Sequence, residues 1–366
     1  MMPACKITVF SLIMILLMSL GCMHESMEVS AEELTNKAAD NNQPAPSLPL
    51  AFQLPTTNRA LLAKGGEQTF FTKTGPEKHW SSGAYGCVRN SGGSMHEGID
   101  IRSLTRDKAG EAIDTVMAAA PGKVAFANRR SGASSYGKYL VLLHEGENLE
   151  VYTLYAHLKS IEARLLPGAN VAAGEVVGVM GRTANHDIPK ERAHLHFEIG
   201  FVGSRDFDSW MKRHYKDPNF NKFGNWHGYN LLGLDPSVIL RARSDPDYQF
   251  ATVVAGLPEL MRLRVRGSKL PLALRLSGLM VTTPHGEIAN PAGYEIAVNA
   301  NGTPIRIHPL PKWPGTTKAR YELASVNNEI ATKHRCRKLI FRKGAKWVLM
   351  DSGHKLADLL SMGASD

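Results

Sequence analysis

Residues 192–200 read RAHLHFEIG, an alternation with a period of two. On a strand, Leu195, Phe197 and Ile199 share one face and can be buried in a core. His194 and His196 then share the other face in fixed register. A polar strand face carrying two imidazoles is one outcome. A metal or catalytic site is the other, because neutral imidazole is the commonest metal-binding side chain. The choice depends on whether the rest of the chain supplies partners of matching chemistry.

Two other segments do. In SGGSMHEGIDI, His96 and Asp100 lie four apart around Gly98, a spacing that shares a face in a strand or a helix. The glycines, with Ile99 and Ile101, predict a strand that begins at a loop. Imidazole nitrogen and carboxylate oxygen are both good zinc donors. With one histidine of HLH they make a His₂Asp set, three protein ligands and one open position, which is the pattern of a catalytic rather than a structural zinc site. The other H-x-H histidine is left over. In VYTLYAHL, His157 stands at a strand end with Val151, Thr153 and Tyr155 on its face. Two histidines beside a zinc-activated water suit amide hydrolysis, one to hold or take a proton and one to donate to the developing oxyanion or the leaving amine.

The bulk properties agree with an ordinary globular chain. It has 366 residues, 43% hydrophobic and 21% charged, enough for two domains. With 33 glycines, 20 prolines and 7% aromatics, it reads as turn-rich and mainly β. The formal charge of +9 suits any polyanion, but no basic block with interleaved aromatics argues for nucleic acid. The cysteines, at 5, 22, 87 and 336, form no C-x-x-C pair, which argues against cysteine-ligated zinc and a thioredoxin-like motif. Outside the cytosol Cys87 and Cys336 could pair, although the sequence does not show that they meet.

Residues 1–22 read as a secretory leader, with Lys6, an apolar run from Ile7 to Met18, and small residues before Cys22. SLGC resembles a lipobox, with its leucine one place late, and implies lipidation and membrane attachment at Cys22. Loss of Lys6 with the leader leaves a charge of about +8. A polar linker follows at 23–50. The body spans 51–243, with a core at about 90–240. Within it GKVAFANRR, GKYLVLLHEGENLEVYTLYAHL and AHLHFEIGF are strands, the second folded at EGEN. After a charged, proline-containing boundary, 245–366 is expected to form a second, mostly β domain. Its strands are 261–265, 270–276 and 294–298, followed by a hairpin turning at Lys343-Gly344 and a short amphipathic helix in HKLADLLSM.

HEGID, YAHL and HLHFEI, in this order, resemble the three motifs of the lysostaphin-like, or LytM-domain, zinc metallopeptidases. APGKVAFA, YGKYLVLLH and VAAGEVVGVMGRT agree with them, and the likeness covers roughly 90–240. The resemblance implies a compact antiparallel β-sheet with an open groove over zinc. It also implies an exported endopeptidase that cuts the peptide cross-links of bacterial peptidoglycan in the cell envelope or periplasm. It makes His96, Asp100 and His196 the zinc ligands and His157 and His194 the catalytic pair, with peptidoglycan stem peptides as substrate. The segment GRTANHDIPKERAHLH is longer and more charged than the family's usual glycine-rich loop, so it bears on specificity. His186 within it reads as solvated, and His144 as structural. The alternative is a wall-binding regulator that activates amidases without cutting.

Overall fold

The computed structural model describes residues 48–74, 79–217, 220–282, 288–315 and 318–365. The leader, lipobox and most of the linker read from the sequence lie outside the described residues. Among the described residues, no helix is long and apolar enough to cross a membrane.

The chain is mainly β and its sheets are antiparallel. A hairpin of β1 (Gly86–Arg89) and β2 (Ser94–His96) leads into β3 (Ile99–Arg102) and β4 (Thr115–Met117). Next come β5 (Gly122–Asn128), β6 (Tyr139–Gly146), β7 (Leu149–Ala156), β8 (Ser160–Ile161), β9 (Asn170–Val171) and β10 (Val176–Val179). Two further strands, β11 (His194–Val202) and β12 (Leu231–Leu234), complete a 7-stranded sheet of order β12-β11-β7-β6-β5-β9, with β3 also paired to β11. A 3-stranded sheet of β4, β10 and β8 accompanies it.

The pivot is β11. One of its edges runs along β7, while the other is divided: residues 194–197 pair with β3 and residues 199–202 with β12. Its alternation works as read. Leu195, Phe197 and Ile199 are buried in the main apolar core, and the histidines face the other side. A smaller cluster on the sheet includes Tyr139, Tyr152, Leu154 and Ala156. Burial of a side chain such as Phe197 stabilises the fold by roughly 1.5–3 kcal/mol, so a one-residue slip of β11, which would exchange its two faces, is strongly disfavoured.

Beyond residue 245, β13 (Met261–Arg266), β14 (Gly293–Val298), β15 (Pro304–Leu310) and β16 (Tyr321–Val326) form a 4-stranded sheet of order β15-β14-β13-β16. Met261, Leu263 and Val265 are buried. Arg262 and Arg264 point outward and pair with Glu295 across the strands, at 3.1 and 2.9 Å. The hairpin of β17 (Ile340–Lys343) and β18 (Lys346–Leu349) turns at Gly344-Ala345, one residue later than the sequence suggested, and helix Asp351–Leu360 follows. The leucine alternation at 270–276 is not a strand. Pro271 opens a short helix, Pro271–Arg275, which buries Leu272 and leaves Leu274 exposed.

Residues 47–366 form one compact unit. Two features tie its parts together. At the β6–β7 turn, the Glu147 carboxylate accepts hydrogen bonds from the backbone amides of Leu50, Phe250 and Ala251, at 3.0, 3.2 and 2.8 Å. In addition, Cys87 in β1 and Cys336 do meet, in a disulfide that spans a sequence separation of 249.

Candidate metal centre

The chain brings all five sequence-predicted residues to one place. His96 ends β2; Asp100 lies in β3 directly opposite His196 in β11; His194 is two residues earlier on the same face. His96 and Asp100 therefore share the site because the chain turns between two strands, not because they lie four apart on one. Gly98 makes that turn fit: a Cβ there would stand 2.4 Å from the Phe197 carbonyl oxygen. His157 follows β7 rather than ending it. It adopts a positive φ of 60°, which directs its ring toward His194, with the ring centres 4.7 Å apart.

Three donor atoms converge. His96 Nε2 lies 3.1 Å from His196 Nδ1 and 3.2 Å from Asp100 Oδ1, and His196 Nδ1 lies 3.1 Å from the same oxygen. A tetrahedral ion about 2.0–2.1 Å from each donor requires them roughly 3.3 Å apart, so the set fits zinc with one position open. All three side chains are buried.

The neighbours fix which ring nitrogen is available. His96 Nδ1 faces the Ala84 carbonyl at 2.7 Å, and a carbonyl only accepts, so Nδ1 carries the proton and Nε2 keeps its lone pair, toward which Arg89 also points an N–H at 3.1 Å. His196 is held the opposite way. Its Nε2–H donates to Glu198 at 2.8 Å, which leaves Nδ1 for a metal. His194 Nδ1 donates to the Arg192 carbonyl at 2.6 Å and His157 Nδ1 to the Thr183 carbonyl at 2.9 Å. Each of these two rings keeps an unprotonated Nε2; that of His194 is 3.5 Å from Asp100 Oδ1.

Electrostatics sort the groups further. Burial alone would raise the Asp100 carboxyl, but its interactions with the His194 and His96 rings and with the Arg89 guanidinium hold it well below the usual carboxylate range. Burial pushes His157 and His194 below the ordinary imidazole value and favours their neutral forms. For His196 burial acts the same way, but hydrogen bonds to Asp100 and Glu198 outweigh it and raise the ring to about 9. A metal at Nδ1 would take the place of that proton.

Four contributors were not identified from the sequence. Arg89 donates to Asp100 Oδ2 at 2.5 Å, leaving Oδ1 toward the histidines. Glu198 is fully buried and accepts from Tyr136 and Tyr152 hydroxyls, both at 2.7 Å, as well as from His196. Glu198 had a signal: the period of two that places His194 and His196 on one face places residue 198 there too.

The site opens into a groove of about 1010 Å³, which also reaches His186, Phe223, His227 and Arg337. His186 is an exposed rim residue. His144 lies away from the groove, between the Pro121 carbonyl and the Thr153 hydroxyl, both at 2.8 Å. Among the described residues, His96, Asp100 and His196 are the group of histidine, cysteine and acidic side chains placed to hold a metal ion.

Residues 94–208 match Peptidase family M23. No curated protein matches the chain. Among solved structures, it is similar to a putative glycyl-glycine endopeptidase LytM from Ruminococcus gnavus, with 28% identity over 28% of this chain and 39% of that one, at a TM-score of 0.23. It is also similar to a zinc containing peptidase from Vibrio cholerae, with 22% identity over 41% of this chain and 37% of that one, at a TM-score of 0.26. A third is a mutant catalytic domain of the prophage-encoded M23 protein EnpA from Enterococcus faecalis, with 22% identity over 36% and 80% of the two chains and a TM-score of 0.25. The chain thus spans about two-fifths of the length of the first two, at 39% and 37%. The match to Peptidase family M23 covers residues 94–208, the segment that carries His96, Asp100, His157, His194 and His196.

Proposed function

We propose that this protein is an exported zinc metallo-endopeptidase that hydrolyses the peptide cross-links of bacterial peptidoglycan. One observation carries the reading. His96 Nε2, Asp100 Oδ1 and His196 Nδ1 stand 3.1–3.2 Å apart, with two further imidazoles beside them on the wall of an open groove.

His96, Asp100 and His196 would hold the metal, and zinc bound there would supply Lewis acidity and make water reactive near neutral pH. Both remaining histidines are neutral and present an unprotonated Nε2, the state a base requires. His194, nearer to Asp100, accepts a proton from the attacking water. That proton passes to Nε2 of His157, whose ring centre is 4.7 Å away, and from there to the leaving amine, so His194 is left neutral again. Their Nδ1 atoms stay anchored to the Arg192 and Thr183 carbonyls throughout, so neither ring needs to turn over.

On the same reading, Cys22 carries the lipid and the body works in the cell envelope. Residues 245–366 act as an accessory region within the same compact unit. Arg337, in that region, stands on the groove wall and pairs with Glu97 at 3.5 Å.

The test uses purified protein without its leader, incubated with peptidoglycan with and without chelator, with fragments read by mass spectrometry. Zinc-dependent conversion of cross-linked dimers to monomers is the expected result and names the bond cut. An unchanged fragment pattern from protein shown to carry zinc would refute the peptidase reading and point to a regulator of other wall enzymes.

A further inference from the structure

Arg192 ends a short 3-10 turn, Lys190–Arg192, immediately before β11. Its carbonyl holds His194 Nδ1 at 2.6 Å, so its backbone is fixed relative to the catalytic pair. Its side chain lines the groove. The guanidinium Nε is closed off from solvent and has no hydrogen-bond partner among the described residues.

The other charges on the groove wall are arranged differently. Arg89 is engaged by Asp100 at 2.5 Å, and Arg337 by Glu97 at 3.5 Å. Among the described residues, Asp217 is the remaining carboxylate on the wall and Lys222 the remaining cation. Arg192 forms no ion pair among the described residues. An enclosed N–H without an acceptor is costly, and few such groups persist in a fold without a reason. A guanidinium presents paired N–H donors in a planar fork that matches a carboxylate.

We propose that Arg192 binds a carboxylate of the substrate beside the metal, so that the groove selects anionic peptides over neutral ones; this rests on the peptidase reading above. Arg192 stands two residues before His194, at most roughly 7 Å along the backbone. The carboxylate it reads therefore lies within one or two residues of the bond that is cut. Stem peptides that keep free carboxylates near the cross-link meet this requirement, and an uncharged glycyl bridge does not.

The test compares two synthetic cross-linked stem-peptide dimers, one with free carboxylates and one with those carboxylates amidated, using the zinc-loaded full body. Wild type should cleave the free form with kcat/KM at least tenfold higher. Arg192→Gln should erase that preference by raising KM about tenfold for the free form and by clearly less for the amidated form, and Arg192→Lys should restore part of it. A second measurement needs no turnover: calorimetric binding of the free dimer to His194→Ala protein should weaken about tenfold when Arg192→Gln is added. Equal cleavage of both dimers by wild type, or equal losses on both in Arg192→Gln, would overturn the assignment. If neither dimer is cut, the peptidase reading fails and binding alone decides: weakening by Arg192→Gln supports carboxylate recognition in a non-hydrolytic groove, and unchanged binding refutes it.

Discussion

Glu198 offers the sharpest test of how the metal centre is held. Its buried carboxylate accepts from His196 Nε2 at 2.8 Å and from the Tyr136 and Tyr152 hydroxyls at 2.7 Å each. Burial would raise its pKa, but the hydrogen bonds from His196, Tyr152 and Tyr136 lower it below the ordinary value, so it is anionic at neutral pH. Glu198→Gln keeps the volume and one acceptor oxygen but removes the charge. A hydrogen bond to a charged group contributes about 1.5–3 kcal/mol and a neutral one about 0.5–1.5 kcal/mol, so the His196 contact loses roughly 1 kcal/mol or more. The ring is then a weaker base at Nδ1. Losing such an outer partner typically lowers metal affinity about 10–100-fold, which is roughly 1.4–2.7 kcal/mol. Tyr152→Phe removes one hydroxyl without touching the charge and should lower affinity less than about threefold. Competition against a chromogenic chelator measures both, with circular dichroism confirming the fold. Zinc affinity within twofold of wild type in a folded Glu198→Gln protein would refute the claim that Glu198 sets the state of His196.

Other outcomes follow from the same geometry. Asp100→Ala removes a ligand and leaves Arg89 without its partner, so the protein should not retain zinc through dialysis, as read by metal analysis. His194→Ala should keep zinc and lose kcat by roughly 10²–10⁴-fold; metal loss in His194→Ala with retention in His196→Ala would reverse the assignment within the H-x-H. Burial lowers His144 to about 4 from 6.5, so below pH 6.5 the unfolded chain takes up a proton that the native ring refuses. Its contribution is complete above pH 6.5 and is lost as pH falls toward 4, by roughly 3 kcal/mol in all. Urea unfolding of wild type and His144→Gln at pH 7 and pH 4.5 should show the shallower pH dependence in the variant. Opening the Cys87–Cys336 bridge releases a very long loop in the unfolded chain. Loop entropy sets the loss at about 5 kcal/mol as an upper bound, measured as the stability difference between wild type and the double serine variant.

Much of the site was legible because a strand's period of two is a strong rule. The H-x-H face, its apolar underside and the clean alternation at 261–265 all stand where that rule places them. Where the local rule failed, tertiary structure supplied the contact. His96 and Asp100 meet through a glycine turn and cross-strand register, and His157 reaches the site through one left-handed residue beyond its strand. Alternation misled at 270–276 because Pro271 suits a first helical turn, and a leucine at every second position also occupies both faces of a short helix. Arg89 carried no pattern, since only the fold of its hairpin brings it to Asp100. The meeting of Cys87 with Cys336, at a separation of 249, is beyond any local reading.

That bridge sets an order on the life of the chain. Cys87 pairs with Met95 across the β1–β2 hairpin, next to His96, and the thiol that clamps the hairpin is the Cys336 side chain. A polypeptide is made from its N-terminus, so His96, Asp100, His157, His194 and His196 all exist before Cys336 does. A chain that stops short of residue 336 can present every one of those five residues and still lack the covalent clamp on the hairpin that carries His96. A stretch made long after the five site residues thereby clamps the hairpin that carries the first of them, and until it is made Cys87 lacks its Cys336 partner.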